Sequence, residues 1–297
     1  MNITTLDLNF LSLPTTIASY LIEGPGGYVL IETGPASTLL TLKEQLAHHG
    51  LSTADIKHVL VTHIHLDHAG AAGWLAQEGA TIYVHEVGAP HLVDPSKLLV
   101  SAERIYGDSM DELWGQTVPA PKENVIALSN GDTVDVAGMH FTAISTPGHA
   151  WHHHTYRLED IGFTGDAAGI RLKTSGLVDL PAPPPEFELE VWQSTIDRLL
   201  AENFTAIYPT HYGRTEEVRD QLESLRALMN ETAEFVRLRM AAGAERDIIV
   251  DDYLAWNHAR MRTQGLSNYA IAQYNAANPL YMSVDGIMRY WRKKLAA

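Results

Sequence analysis

The chain contains no cysteine among its 297 residues. Disulfide bridges, thiolate zinc sites, iron–sulfur clusters and cysteine nucleophiles are therefore excluded. Long apolar runs are also missing, because no stretch approaches the roughly 18 or more apolar residues of a membrane-spanning helix. The first residues, MNITTLDLNFLSLP, lack the basic and apolar segments of a signal peptide. We therefore expect a cytoplasmic protein that has no membrane partner.

Positive charge is scarce. Lysine and arginine total 21 against 36 aspartates and glutamates, which gives a formal net charge of −15. Such a surface repels a phosphate backbone, so nucleic acid is not an expected partner. The 45% of hydrophobic residues suffice for one large domain, or for a domain with an appendage. We expect a small-molecule substrate, and the sequence leaves a homodimer open.

Short β-prone runs alternate with helical spacing over the first 214 residues. Strands are predicted over residues 16–23, 28–33, 56–62, 81–85, 125–128, 133–136, 140–145, 155–158, 161–164 and 206–208. Helices are predicted over residues 37–49, 67–77 and 187–200. Residues 87–123 contain four prolines and are predicted to form an insertion of short helices and loops.

From residue 215 onward the helical spacing continues to the end of the chain. Val218, Leu222 and Leu225 begin an apolar face of this kind. We predict an α/β catalytic domain over residues 1–214 and a helical C-terminal extension over residues 215–297. The sequence does not indicate whether the extension caps a pocket, forms a dimer interface or completes the core.

Histidine is abundant, with 15 copies, and four ligand-type side chains cluster in residues 62–70, T-H-I-H-L-D-H-A-G. His63 and His65 follow a predicted buried strand, and Asp67 and His68 lie at the turn into the next helix. Strand ends followed by tight turns can direct several side chains into one cleft. Imidazole nitrogen and carboxylate oxygen are ligands that suit zinc and also iron(II).

Three later segments each place one ligand-type residue after a predicted strand. T-P-G-H ends at His149, T-G-D ends at Asp166 and P-T-H ends at His211. A metal site built on sheet edges requires this recurrence. The spacing of the first motif makes a chance occurrence improbable, and it gives the later residues a metal-binding interpretation.

This ordered set resembles the metallo-β-lactamase superfamily, in particular its glyoxalase II-like and lactonase-like hydrolases. The resemblance covers residues 16–214, and it implies an αββα sandwich with the metals at one edge and with the helical extension outside it. It also implies the following metal ligands: His63, His65 and His149 for one ion, Asp67, His68 and His211 for a second ion, and Asp166 as a bridge between them.

One position departs from the family pattern. The family commonly has Asp-Thr-Gly at the end of its third strand, whereas this chain has Glu32-Thr33-Gly34. The side chain of Glu32 has a longer reach and can make the same contacts around the metal ligands. Its role stays open at this point.

The resemblance implies a di-metal hydrolase, with zinc as the first choice of metal and iron or manganese as alternatives. A hydroxide that bridges the ions would attack a lactone, a thioester or another carboxylic ester, with Asp67 as the catalytic residue that orients it. β-Lactams and phosphodiesters use the same kind of centre. Because the fold does not fix the substrate, these alternatives stay open.

A rival hypothesis is an oxidoreductase. Some relatives bind a single iron and oxidise persulfides, and His63, His149 and Asp166 would form that trio here. The diiron oxygen-reducing relatives have glutamate in place of the second histidine of the motif, so His65 argues against that branch. A binding module without chemistry would have lost ligands, and none of the seven is missing.

Several other side chains have two interpretations. One residue of the run His152, His153 and His154 orients a metal ligand, or all three belong to a hairpin. Four side chains line an apolar substrate pocket or pack locally: Tyr106, Met110, Trp114 and Tyr212. Three cations bind an anionic group of the substrate or lie on the surface: Arg171, Lys173 and Arg214.

Overall fold

Two β-sheets form the centre of the molecule. The computed structural model describes residues 2–173 and 175–296. The first sheet contains six strands in chain order: β1 (Asn2–Asp7), β2 (Ala18–Gly24), β3 (Gly27–Ile31), β4 (His58–Leu60), β5 (Thr81–His85) and β6 (Val125–Leu128). The first three strands pair antiparallel, and β3 to β6 pair parallel.

The second sheet contains five strands in the order β11-β10-β9-β8-β7. Their bounds are β7 (Thr133–Val136), β8 (Met139–Ser145), β9 (His154–Leu158), β10 (Ile161–Phe163) and β11 (Ala206–Tyr208). β7 to β10 pair antiparallel, whereas β11 pairs parallel with β10. A parallel neighbour requires a crossover connection, and helix α7 (Leu189–Ala201) lies within it.

Helices cover the outer faces of both sheets. The other helices are α1 (Leu39–His48), α2 (Leu66–Ala69), α3 (Ala72–Gln77), α4 (Ala89–Val93), α5 (Ser96–Tyr106), α6 (Met110–Leu113), α8 (Val218–Ala241), α9 (Arg246–Thr263), α10 (Asn268–Ala277) and α11 (Leu280–Leu295). The predicted insertion over residues 87–123 contains α4, α5 and α6. Four layers result, so the αββα sandwich with its helical extension is confirmed.

Alternating side chains along each strand divide the core into three parts. Tyr20 and Ile22 of β2 point between the two sheets, whereas Leu21 points to the opposite face. The same alternation occurs in β11, where Ile207 faces the helices of the second sheet and its two neighbours face the inter-sheet core. This period of two is the burial pattern of a sheet that is covered on both faces.

The helix predicted over residues 67–77 is in fact two helices, α2 and α3. The helical hydrogen-bond pattern is interrupted after Gly70, where the backbone approaches the loop after β3. A Cβ atom at Gly70 would lie 2.9 Å from the Cα atom of Pro35. The amide of Ala71 donates a hydrogen bond to the carbonyl of Gly34 at 3.0 Å. A tertiary contact therefore ends a helix that the local sequence would continue.

The C-terminal extension forms helices α8 to α11 and completes the outer core of the second sheet. Tyr253 and Ile287 are fully buried there together with Trp192 of α7. An ion pair of 3.0 Å between Arg260 Nη2 and Asp179 Oδ1 joins the extension to the α/β part. The predicted division at residue 214 stays a prediction. Among the helices of the described residues, none is long and apolar enough to cross a lipid bilayer.

Candidate metal centre

The turn after β4 brings the first four predicted ligands together. β4 ends at Leu60, and the following loop carries His63 and His65 to the start of α2. Asp67 lies in the first turn of this short helix, followed directly by His68. The imidazoles of His63 and His68 are fully buried, so their ring nitrogens need partners inside the protein.

The other three predicted ligands reach the same place from the second sheet. His149 follows the end of β8, Asp166 follows β10 and His211 follows β11. All three side chains are buried, with at most 3% of the residue surface exposed. The structure therefore brings all seven predicted residues to one edge of the sandwich, where the two sheets face each other.

Three imidazole nitrogens converge at a first position. His65 Nδ1 lies 3.0 Å from His63 Nε2 and 2.9 Å from His149 Nε2, and the two Nε2 atoms are 3.2 Å apart. Three nitrogens bound to one tetrahedral zinc ion at about 2.1 Å are about 3.4 Å from one another. The three observed distances are slightly shorter than in that arrangement, and they are nearly equal to one another, as the arrangement requires.

A second position lies among Asp67, His68 and His211. Asp67 Oδ2 is 3.6 Å from His68 Nε2 and 3.4 Å from His211 Nε2. The donor atoms of these three side chains all lie within 4.8 Å of one another. One carboxylate and two imidazoles form a ligand set that suits a divalent transition metal.

Asp166 connects the two positions. Its Oδ2 lies 3.4 Å from His149 Nε2 at the first position. Its Oδ1 lies 3.4 Å from His68 Nε2 and 3.7 Å from His211 Nε2 at the second position. Each carboxylate oxygen thus faces a different nitrogen set, which is the arrangement of a bridging ligand.

Unpartnered buried atoms test whether these residues fit metal ions. His68 Nε2, His211 Nε2 and Asp166 Oδ1 are buried and have no hydrogen-bond partner among the described residues. A buried polar atom without a partner costs about 1–3 kcal/mol, so three in one place are typical of a cation-binding site. The residues therefore fit divalent metal ions at both positions.

Hydrogen bonds on the far side of the rings fix the orientation of the histidines. His149 Nδ1 lies 2.8 Å from the carbonyl of Pro181, and His211 Nδ1 lies 2.8 Å from the carbonyl of Thr16. A carbonyl only accepts, so Nδ1 carries the proton in both rings. In the neutral form of each ring, Nε2 is then unprotonated and able to bind a metal.

Glu32 holds the ring of His68 in the same way. Its Oε1 lies 3.2 Å from His68 Nδ1 and accepts hydrogen bonds from the hydroxyls of Thr62, at 2.5 Å, and Thr210, at 3.2 Å. The hydroxyl of Thr62 also lies 3.0 Å from His63 Nδ1. The glutamate that departs from the family pattern therefore contacts the groups around both metal positions.

The histidine run has three different environments. His153 Nε2 accepts a hydrogen bond of 3.2 Å from the backbone amide of Asp166, so this residue holds the backbone of Asp166. His152 Nδ1 accepts from the amide of Ile64 at 3.4 Å, and its Nε2 lies 3.2 Å from Glu186 Oε2. His154 faces away from the metal positions, and neither of its ring nitrogens has a partner among the described residues.

Burial and neighbouring charge set the pKa values at the two positions. Burial, reinforced by nearby imidazoles, lowers the pKa of His65 to about 3 and that of His63 well below the usual range. Burial also opposes the charged form of His68, but the carboxylates of Asp67 and Asp166 outweigh it and raise the pKa of His68. A cation at the second position would thus replace a proton.

A cleft of about 290 Å³ opens beside the seven side chains. Its floor includes His65, Asp67, His149 and Asp166. Helix α5 contributes to its walls, and so do residues of the 181–186 and 276–282 segments. This volume lies near the lower end of the range for small-molecule sites.

Two of the four candidate pocket residues line this cleft. Tyr106 and Trp114 do so, with ring centroids 5.0 Å apart. Among the described residues, Met110 and Tyr212 are not part of its lining. Tyr212 instead packs in the inter-sheet core, with the ammonium of Lys173 5.2 Å from its ring centroid.

The candidate anion-binding residues lie elsewhere. Arg171 forms an ion pair with Glu217, and Arg214 pairs with Glu216 at 2.6 Å. Neither arginine lines the cleft among the described residues. The two arginines follow the ligand segments in the sequence, but they do not lie beside the cleft.

Some parts of the site were missing from the sequence-based prediction. Glu186 lines the cleft, and its Oε2 accepts a hydrogen bond from the amide of Trp151 at 3.1 Å. The carbonyls of Thr16 and Pro181 orient metal-facing rings. A carbonyl has no sequence signal, because every residue carries one. The proline run before Glu186 indicated only a stiff segment.

A sequence profile of the metallo-beta-lactamase superfamily matches residues 13–211. The metallo-beta-lactamase fold-containing protein ST1585 of Sulfurisphaera tokodaii is 30% identical over 147 residues, which are 48% of this chain and 55% of that protein. The thioesterase pkgB of Emericella nidulans is 30% identical over 152 residues, which are 50% of this chain and 34% of that protein. The matches therefore span about half or less of these relatives.

Solved structures show the same fold. The metallo-beta-lactamase family protein TTHA1429 of Thermus thermophilus aligns with a TM-score of 0.72 at 23% identity, over 99% of this chain and 94% of that chain. ST1585 aligns with a TM-score of 0.64 at 23% identity, over 76% of this chain and 85% of that chain. Members of this superfamily typically bind divalent metals and are mostly metal-dependent hydrolases. The profile match and the fold together show that the chain belongs to the metallo-β-lactamase superfamily.

Proposed function

We propose that this chain is a di-metal hydrolase that cleaves a lactone, a thioester or another carboxylic ester. The observation that carries the proposal is the pair of adjacent donor sets, joined by Asp166, at the floor of a cleft. Two ions held there, with zinc as our first choice, would lower the pKa of water and polarise the carbonyl of the substrate. The side chains of the protein would position the substrate and transfer protons.

We assign the activation of the attacking water to Asp67. Its side chain is 20% exposed, whereas that of Asp166 is only 4% exposed. Oδ2 of Asp67 faces the second position. The other oxygen of the carboxylate can accept a hydrogen bond from a water molecule in the cleft. It would hold the proton of that water while the C–O or C–S bond breaks, and then release it to the leaving group.

The lining of the cleft favours a carboxylic ester over a phosphodiester. Most of its side chains are apolar, and the net charge of the whole chain is −15. Both features oppose a highly anionic substrate. Relatives such as pkgB, which is called a thioesterase, support the same class. A cytoplasmic location, a small-molecule substrate and a homodimer stay predictions.

Metal analysis and a substrate panel test this function. We expect about two equivalents of zinc per chain and turnover of an ester, thioester or lactone that a chelator abolishes and added zinc restores. Turnover restricted to β-lactams or phosphodiesters would assign another substrate class to the same centre. One equivalent of iron with oxygen consumption on persulfides would instead support the oxidoreductase hypothesis.

Asp67→Asn tests the proposed proton transfer. The amide cannot accept the proton, so kcat should fall at least about a hundredfold while the first zinc equivalent is retained. Asp251→Asn on α9 is the matched control, because Asp251 is exposed and far along the chain from the centre. Wild-type turnover by Asp67→Asn, with both metals bound, would contradict the role of Asp67.

A further inference from the structure

The wall of the cleft on helix α5 is an apolar stripe that packs against the core on one side and lines the cleft on the other. Leu98, Ala102 and Tyr106 are spaced by four residues and therefore lie on one face of the helix, with Ile105 beside them. Leu98, Ile105 and Tyr106 are only partly buried. Apolar side chains that remain partly exposed beside a reaction centre indicate a surface for an apolar part of the substrate.

A second wall of the cleft includes residues of the C-terminal extension. Ala276 and Ala277 end α10, Pro279 precedes α11, and Met282 lies in its first turn, and all four line the cleft. The metal-facing residues precede this segment by more than 60 positions in the sequence. The extension therefore completes the cleft as well as the core.

Hydrogen bonds hold this second wall in place. Asn278 Nδ2 donates to Asp179 Oδ2 at 2.8 Å and to the carbonyl of Leu180 at 3.0 Å. Ser283 Oγ donates to the carbonyl of Leu180 at 2.9 Å. Asn278, Asp179 and Ser283 are all buried. A wall fixed by buried hydrogen bonds presents a preformed shape to a ligand.

Charge limits what this cleft can accept. Among the described residues that line it, Lys97 is the one lysine, and there is no arginine. Lys97 is exposed, and Glu186 adds a negative charge to the lining. A ligand part that carries several phosphates would meet too few cations here. These features favour an uncharged ligand part inside the cleft.

We infer that the substrate is an ester or thioester with an uncharged, apolar acyl group, which lies between helix α5 and the 276–282 segment of the extension. This inference rests on the proposed ester hydrolysis. The carbonyl carbon would sit at the metal positions, and the acyl chain would contact Leu98 and Ile105 on one side and Ala276 and Met282 on the other. The walls, rather than the metal ligands, then select the substrate.

Acyl esters of increasing length test the inference. We would assay the zinc-loaded protein with p-nitrophenyl esters from acetate to decanoate. A buried methylene contributes about 0.8 kcal/mol, so kcat/KM should rise about fourfold per added methylene until the cleft is full. A parallel series of acetate esters with longer alcohols should show no such rise. A rise in that series instead would place the leaving group in the cleft and overturn the inference.

Two narrowing variants separate the walls from the centre. Ala276→Trp fills the cleft from the extension, and Leu98→Trp fills it from α5. Each should lower the ratio of kcat/KM for the octanoate ester to kcat/KM for the acetate ester at least about tenfold, because the longer acyl chain extends further along the walls. Ala272→Trp and Val100→Trp are matched controls on the same helices, at exposed positions outside the lining. A thermal unfolding curve shows that each variant is folded.

The possible results distinguish this inference from the proposed function. Ester turnover that is independent of acyl length, or unchanged length profiles in both narrowing variants, would overturn the inference and leave the hydrolase proposal standing. If no ester is hydrolysed, the hydrolase proposal fails, and calorimetry with octanoate then decides the inference. Octanoate binding that Ala276→Trp weakens and Ala272→Trp does not would still support the apolar site, whereas no binding would overturn it.

Discussion

Glu32 has an unusual backbone conformation beside the second metal position. Its φ angle is +64°, in the left-handed region that residues with a side chain rarely adopt. Such a conformation costs about 1–3 kcal/mol and persists where surrounding contacts fix it. Here the fixing contacts are those of the carboxylate with His68, Thr62 and Thr210. The strain therefore lies at a residue that orients a metal-facing ring.

Glu32→Gln should weaken binding at the second metal position. The neutral amide is a poorer acceptor for the Nδ1 proton of His68, and the loss of such a partner typically costs 10-fold to 100-fold in metal affinity, so we expect at least about tenfold here. Competition with a chromophoric chelator measures both zinc equivalents. Glu23→Gln, at an exposed position of β2, is the control. Two unchanged zinc affinities in Glu32→Gln would show that Glu32 does not support the centre.

At the scale of elements, the 181–186 segment lies between the metal centre and helix α11. The carbonyl of Pro181 faces His149 Nδ1, and the amide of Ala182 donates to Ser283 Oγ at 3.2 Å. Gly286 of α11 allows the helix to approach closely, since a Cβ atom there would lie 2.0 Å from the carbonyl oxygen of Ala182. Helix α11 therefore packs against the segment that orients a metal ligand.

Gly286→Ala should destabilise the protein although alanine favours helices. At an unhindered helical position this change stabilises by about 0.5–1 kcal/mol. Here the added methyl group must displace α11 or the 181–186 segment, and we expect a loss of about 1–3 kcal/mol in the free energy of unfolding. Denaturant unfolding of the zinc-loaded protein measures this, with exposed Arg292→Ala on the same helix as the control. A Gly286→Ala protein more stable than the wild type would refute the close contact.

At the scale of the whole molecule, a buried histidine pair lies where the two sheets meet. His85 ends β5 of the first sheet, and His154 begins β9 of the second, with their ring centroids 4.3 Å apart. Burial, followed by repulsion from His85, lowers the pKa of His154 to about 3. Burial also lowers the pKa of His85. The packing of the sheets therefore requires uncharged imidazoles at this contact.

Acidification should destabilise the fold through His154. Between its usual value near 6.5 and about 3, the unfolded chain holds a proton that the folded protein lacks. The contribution of His154 to the free energy of unfolding is complete above about pH 6.5. Below that pH it falls by about 1.4 kcal/mol per pH unit. In His154→Phe, this part of the dependence of the free energy of unfolding on pH should disappear.

Urea unfolding of the metal-free protein at several pH values between 7.5 and 4.5 measures the difference between the two slopes. His140→Phe serves as the control, because the side chain of His140 is 60% exposed. Equal slopes for His154→Phe and the wild type would show that this buried pair does not sense pH.

The sequence by itself determined most strands of the sandwich and the residues of the candidate centre. The strands over residues 125–128, 133–136 and 206–208 have the predicted bounds, because apolar residues between turn signals encode buried strands locally. The motif from His63 to His68 was recognisable since its four side chains share one turn. Strand β1 was not predicted, because its polar sequence NITTLD forms a strand by pairing with β2.

Only the tertiary structure decided how these pieces meet. The order of strands in the second sheet brings His149, Asp166 and His211 beside the turn after β4, and no local pattern encodes that order. The same holds for the carbonyl of Pro181 and for the wall that residues 276–282 add to the cleft. The physical reason is that local sequence encodes burial and turns, whereas contacts between distant segments arise from the packing of the whole core.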